Sequence, residues 1–207
     1  MSYLCLGLAA FFGLSMLSMA DAAQGGPDDK PVVVFDTTAG PITLELDRAK
    51  APITVDNFLK YVDAGFFDGL VFHRVIPGFM IQGGGLDSAL RPKSEGERPS
   101  IKNEASNGLS NKRGTICMAR TSDPDSATSQ FFINLADDNA RNLDPRPGSA
   151  GYAVFGKVIA GMDTVDSIAK VPTGTKQGFT PDGRRQNYDD VPLKTISIKS
   201  AKRKPKS

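Results

Sequence analysis

"LVFHRVI" at residues 70–76, followed by "PGFMIQGGG" at 77–85, decides how this chain is read. The stretch holds two apolar runs of strand length, broken by Pro77-Gly78 and closed by three glycines. Similar runs recur downstream: "GTICMAR" at 114–120, "SQFFINL" at 129–135 and "YAVFGKVI" at 152–159. All are short and bounded by Gly, Pro, Asn or Asp, and several such runs at close spacing mark an antiparallel barrel or sandwich. Upstream, "PVVVFDTTAGPITLELD" at 31–47 reads as two more strands joined by a turn over "TTAGP". There Ile42, Leu44 and Leu46 alternate with Thr43 and Glu45, the two-residue period of a half-buried strand. "LKTISIKS" at 193–200 supplies a last strand through Leu193, Ile196 and Ile198.

Two helices interrupt the strands. "APITVDNFLKYVDAGFFDG" at 51–69 starts at Ile53 or Thr54, with Pro52 compatible with the first turn. Val55, Phe58, Leu59 and Val62 follow the spacing of one apolar face, and Gly65 is placed to stop the helix. A second, shorter helix is predicted over residues 162–170, with Val165, Ile168 and Ala169 inward. "PTGTKQGFTPDGRRQNYDDVP" at 172–192 reads as a long irregular loop. The chain has no internal repeat, and its fold class is expected to be mainly all-β.

A length of 207 residues suits one domain with appendages. Hydrophobic residues at 40% and charged residues at 23% are an ordinary globular balance. The 21 Gly and 14 Pro exceed average usage and favour turns and short elements. Residues 4–17 are apolar or small and uncharged, a length that suits a signal h-region and is short for a spanning helix. Ala20-Asp21-Ala22 has the small-x-small form that puts cleavage after Ala22, and Ser18-Met19-Ala20 offers a competing site. The segment before the apolar run lacks the usual Lys or Arg, so an uncleaved interfacial or membrane anchor, or a misassigned start codon, is the alternative. The expected organisation is a signal peptide at 1–22, a polar linker at 23–30, one folded domain at 31–200 and a basic tail at 201–207. Export to the periplasm or the medium follows, with no stable membrane insertion after cleavage. The net charge of +2 is too small to argue for a nucleic-acid partner. The excess sits in the tail, in Lys199, Lys202, Arg203, Lys204 and Lys206, which reads as a solvated terminus.

Cys5 leaves with the leader, so Cys117 stands alone and no intramolecular disulfide is possible. Its neighbours, Gly114-Thr115-Ile116 and Met118-Ala119, place it on a strand as a small buried hydrophobe. With one His and one mature Cys, no metal site is expected. Gly83-Gly84-Gly85 matches neither G-x-G-x-x-G nor a P-loop, and instead lets a strand bend or backbones approach closely. No G-x-S-x-G elbow is present to work with His73, which reads as a hydrogen-bonded structural residue.

What remains in the opening stretch is one cation, Arg74, among apolar and amide side chains. That set suits a reaction without nucleophile, metal or net proton transfer. Rotation about a prolyl peptide bond is such a reaction, opposed by a barrier of about 18–20 kcal/mol from amide resonance. A catalyst must bind the twisted amide better than the planar one. The twisted nitrogen turns pyramidal and gains a lone pair, which a guanidinium can bond while an apolar pocket holds the proline ring. The composition permits this chemistry without proving it.

"FHRVIPGFMIQGG", "IKNEASNGLSNKRGTICMAR", "SQFFINL" and "YAVFGKVIAGMDTVD", in that order, closely resemble the cyclophilin-type peptidyl-prolyl cis-trans isomerases, most strongly their exported bacterial (periplasmic) branch. The resemblance runs over about 32–198. It implies a closed eight-stranded antiparallel barrel capped by two α-helices, with substrate bound on the outer wall. It also implies roles by motif. Arg74 matches the catalytic Arg, Phe79 and Met80 the walls of the proline pocket, and Phe132 its floor. Gln82 and Gln130 match amides that hold the substrate backbone or orient Arg74. Ala119, Arg120 and Thr121 match the segment along which the residue before proline lies, and Leu143 matches a further wall. Asn142, Tyr152 and Arg120 depart from the Trp, His and Asn that eukaryotic members commonly carry there, and Tyr152 can still close the pocket as an aromatic. Taken alone, Phe79, Met80 and Phe132 suit an ordinary core and Arg74 a surface ion pair. The first and third motifs together favour the site. A monomeric enzyme that acts on proline-containing polypeptides without cofactor or metal is the first reading. A chaperone module that binds proline segments with little turnover is the second, and Arg74, Gln82 and Phe132 favour the first.

Overall fold

The structure, a computed structural model, describes residues 30–205. The expected signal peptide and all of the linker except Lys30 lie outside the described residues, as do the last two residues of the tail. Ten strands are present: β1 (Val32–Thr37), β2 (Gly40–Leu46), β3 (Phe72–Ile76), β4 (Met80–Gly83), β5 (Thr115–Met118), β6 (Phe131–Asn134), β7 (Val154–Ala160), β8 (Thr173–Phe179), β9 (Arg185–Pro192) and β10 (Ile198–Arg203). The helices are α1 (Pro52–Asp63), α2 (Ala140–Leu143) and α3 (Met162–Ala169), with two short 3-10 turns at Ala105–Asn107 and Asp137–Asn139.

Eight strands form one antiparallel sheet in the order β10-β1-β2-β7-β5-β6-β4-β3. Seven are runs read from the sequence, and the eighth, β10, overlaps the expected last strand at 193–200 only from Ile198 onward, with Leu193 exposed before it. The sheet curls until its two edges meet. The meeting is an isolated bridge, Val71 to Ser197, reinforced by Phe72 N donating to Ile196 O at 2.9 Å and Ile198 N to Leu70 O at 2.8 Å. The result is a curled, barrel-like sheet joined at its edges by a few backbone bonds.

Phenylalanine rings fill the inside. Phe58 of α1 has its ring centroid 5.0 Å from Phe155, 5.2 Å from Phe67 and 5.9 Å from Phe131. The apolar faces of α1 and α3 bury against this same core. Helix α1 begins at Pro52, one residue before the expected start. Its free N–H groups at Ile53 and Thr54 donate to the Glu104 carboxylate at 3.1 and 2.8 Å. Gly65 follows its end in the left-handed conformation, at φ 63°.

Two expectations are corrected. Residues 172–192 are not an irregular loop: β8 and β9 pair as a separate antiparallel hairpin. Their alternation is largely exposed polar or charged against half-buried rather than apolar against polar, so the stretch gives no hydrophobic period to read. The domain also runs past residue 200. β10 continues to Arg203, with Val33 paired to Arg203 and Phe35 to Ala201, because Ala201 is buried while the cations face outward. Arg203 Nε donates to Asp63 Oδ1 at 2.6 Å, which ties the start of the basic tail to α1.

Candidate active site

Alternation on four neighbouring strands builds the site. On β4, β6, β5 and β7, Ile81, Phe131, Ile116 and Phe155 turn into the barrel core. Their sequence neighbours Met80, Phe132, Cys117 and Val154 turn outward and form a second buried cluster with Leu143 of α2. Strand register then sets one row across the sheet. Arg74 pairs with Gln82, Gln82 with Phe132, Phe132 with Cys117 and Cys117 with Val154.

Arg74 joins this row through a bulge. Phe72 pairs with Gly83 and Arg74 with Gln82, so His73 is an extra residue on β3. Phe72 packs into the core while Arg74 emerges on the outer face, a switch that unbroken alternation would forbid. His73 itself is buried, and burial pushes its imidazole down to about 4, with the Arg74 cation adding to the effect. Its Nδ1 has no partner of ordinary geometry, while a backbone hydrogen bond at Val71 opposes part of that shift.

Over the row lies a cavity of about 230 Å³ lined by Arg74, Phe79, Met80, Gln82, Ala119, Arg120, Phe132, Leu143 and Tyr152. Every lining residue is one that the sequence had singled out. Its floor and one wall are aromatic: Phe132 and Tyr152 meet edge to face, with centroids 5.7 Å apart and planes at 79°. The Arg120 guanidinium lies over the Tyr152 ring, 4.5 Å from its centroid. Arg120 Nε and Nη2 both donate to Gly151 O at 3.0 Å, which fixes that stack.

Two of the expected residues stand outside the cavity. Gln130 lies behind Gln82 and accepts a hydrogen bond from its Nε2 at 3.0 Å. The glycine run makes this possible. A Cβ on Gly85 would sit 2.5 Å from Gln130 Cγ, and one on Gly84, at φ 87°, would sit 2.8 Å from the Phe131 ring. Thr121 is exposed and bonded into its own turn, where its N–H donates to Ser126 Oγ at 2.9 Å.

Behind the pocket runs a chain of buried amides. Asn139 Nδ2 donates to Phe79 O and to Asn134 Oδ1, both at 2.7 Å. Asn134 Nδ2 reaches Thr115 Oγ1 at 2.9 Å, and Asn111 Nδ2 reaches Asp144 Oδ1 at 2.9 Å and Tyr152 O at 3.2 Å. The backbones of Phe79 and Tyr152 and the residue after Leu143 are thereby tied to one network, which fixes the pocket walls. Cys117 is buried within it and donates to Asn111 Oδ1 at 3.0 Å, and burial pushes its thiol well above the usual range. That is the setting of a structural Cys.

Sequence reasoning missed the other side of Arg74. There a polar cleft of about 480 Å³ opens between β3 and the β8–β9 hairpin, lined by Gln82, Gln130, Gln186, Asn187, Tyr188, Asp189 and Asp190 besides Arg74 and His73. A wider cleft of about 810 Å³, between the loop at 103–110 and the loop at 144–150, contains none of the expected residues. Among the described residues no group of three or more His, Cys, Asp and Glu is placed to hold a metal ion, and no helix is long and apolar enough to cross a membrane.

An outer-wall apolar pocket in which Arg120 is tied to Gly151 O and the Arg74 guanidinium faces the slot, with no Ser, Cys or His nucleophile in its lining, suits a catalyst of bond rotation. The family model for cyclophilin type peptidyl-prolyl cis-trans isomerase/CLD matches residues 32–203. A peptidyl-prolyl cis-trans isomerase of Acinetobacter baylyi is 54% identical over 167 residues, which are 81% of this chain and 84% of that protein. Peptidyl-prolyl cis-trans isomerase A of Dickeya dadantii is 53% identical over 170 residues, 82% of this chain and 83% of that one. A crystal structure of a Cryptosporidium parvum cyclophilin type isomerase, in the presence of the dipeptide Ala-Pro, superposes with a TM-score of 0.63 at 25% identity and covers 84% of this chain and 99% of that one. The chain belongs to the cyclophilin-type peptidyl-prolyl cis-trans isomerases, a family that acts on proline-containing polypeptides.

Proposed function

We propose that the protein speeds cis/trans exchange at X-Pro bonds of exported polypeptides, with the proline ring seated between Phe79, Met80, Phe132 and Leu143. Uncatalysed, that exchange takes roughly 10–100 s. Arg74 donates to the prolyl nitrogen as it turns pyramidal, an interaction the planar amide does not offer, so the bond lowers the barrier. Gln82, held by Gln130, meets the substrate backbone beside it. Arg120 and Tyr152 border the path of the residue before proline. The observation that carries this reading is that Arg74 and Phe132 stand in one row and line one small cavity. The Ala-Pro dipeptide in the related crystal supports X-Pro as the ligand class.

Arg74→Ala tests it. Losing one charged hydrogen bond made only in the transition state costs about 1.5–3 kcal/mol, roughly ten- to hundredfold in rate. Exchange of an Ala-Pro peptide, followed by NMR, is expected to slow by that factor with the fold intact. A variant at the wild-type rate removes Arg74 from the mechanism. Export rests on the uncharged apolar run at residues 4–17 and the small-x-small sequence after it. N-terminal sequencing of the protein from the extracytoplasmic fraction is expected to begin at Ala23 or Asp21, and a retained Met1 overturns export with cleavage.

A further inference from the structure

The Nε of Arg74 lies 3.5 Å from Oδ2 of Asp190 in β9, within the stretch that sequence reads as loop. Two irregularities aim these groups at each other. On β3 the extra residue His73 turns Arg74 to the outer face. On β9 a second bulge sets Asp189 and Asp190 opposite Thr175 alone, since Gly174 pairs with Val191 and Lys176 with Tyr188. Asp190 takes the left-handed conformation, φ 59°, which among the described non-glycine residues only Leu90 shares. That region is costly for most side chains and is best tolerated by Asp and Asn. Asp189 holds the bulge in place by accepting from Thr175 Oγ1 at 2.7 Å. Under the hairpin Val71, Leu86, Leu90 and Val191 form a small buried cluster, so β9 is fastened to the chain leading into β3. Bulges re-aim side chains beside active sites, and a backbone held outside its ordinary wells points to a function for the residue that bears it.

We infer that Asp190 is a positioning residue for Arg74, a reading that rests on Arg74 being the transition-state donor. The Arg74 side chain is 45% exposed and ends a long, flexible stem, so alone it samples many rotamers. A carboxylate on Nε holds one edge of the guanidinium and leaves the Nη N–H groups for the substrate. Asp190 does not line the apolar pocket, so its removal leaves substrate affinity alone and lowers the rate of the bound complex.

Asp190→Asn keeps the size of the side chain and its tolerance of the left-handed backbone while removing the charge. It is expected to lower kcat about two- to fivefold, the range of a half-exposed ion pair, with KM and Tm unchanged. Asp190→Gly, which also suits that backbone, is expected to show the same loss. In the Arg74→Ala background, Asp190→Asn is expected to add nothing, because its action passes through the missing guanidinium. Wild-type kcat in either single variant overturns the proposal. So does a further loss in the Arg74→Ala background equal to that in the wild type. If Arg74→Ala itself keeps the wild-type rate, it is the underlying role of Arg74 that fails.

Discussion

Phe131 and Phe132 are adjacent in sequence and chemically identical, yet they belong to different parts of the molecule. Phe131 points into the barrel, where its centroid lies 5.3 Å from Phe35 and 5.7 Å from Phe67. Phe132 points out and, among the described residues, has its ring contact with Tyr152. Inside, α1 lays Phe58 across the rings and closes the core. Outside, Phe132 is buried beside Leu143 and Tyr152, yet a cavity remains over this cluster. Closure gives stability and incomplete closure gives a binding site, and the same strand supplies both by alternation.

The inner member of this pair carries the largest expected effect. Phe131→Ala opens a cavity among packed rings and is expected to cost about 3–5 kcal/mol, read as a fall in the urea midpoint at constant slope. Phe132→Ala is expected to act mainly on catalysis. Loss of the floor removes about 1.5–3 kcal/mol of apolar contact with proline, roughly ten- to hundredfold in kcat/KM on an Ala-Pro peptide. Its stability loss should be smaller than that of Phe131→Ala. Equal stability losses would show that the two faces are one core and break the comparison.

His73 sharpens it with pH, since this residue sits at the bulge where β3 changes face. Its folded pKa of about 4 lies below the usual imidazole value of 6.5, so between those values the unfolded chain binds a proton that the folded chain refuses. Stability is therefore full above about pH 6.5, falls as pH drops towards 4 and levels below that. Between pH 7 and pH 5 the loss is about 2 kcal/mol. Urea unfolding of wild type and His73→Gln at both values is expected to show that part of the slope in the wild type only. The same slope in both proteins would assign it to other groups.

The hydrophobic period shows which strands exist and which side chains share a face, because burial of alternate residues leaves its mark on composition. Seven strands of the main sheet and the start of the eighth, both longer helices and all nine residues lining the pocket were legible in that way or by motif. The β8–β9 hairpin was not, because its strands bury little and alternate exposed with half-buried residues that are mostly polar on both faces. Asp190 carried no signal for the same reason, and α2 is too short to show a period. The amide network was hidden as well, since Asn111, Asn134 and Asn139 read locally as turn and loop residues until the fold brings them together.

Sequence by itself determined most strands of the main sheet, their inner and outer residues, the guanidinium of Arg74 beside an apolar run and the absence of a local nucleophile, all properties of neighbouring residues. Tertiary structure alone decided that Arg74 leaves the face of Phe72, since one extra residue in the pairing of β3 with β4 cannot be counted on either strand alone. It also decided that Asp190 meets Arg74, because pairing across more than a hundred residues depends on how the whole sheet curls and not on any local pattern.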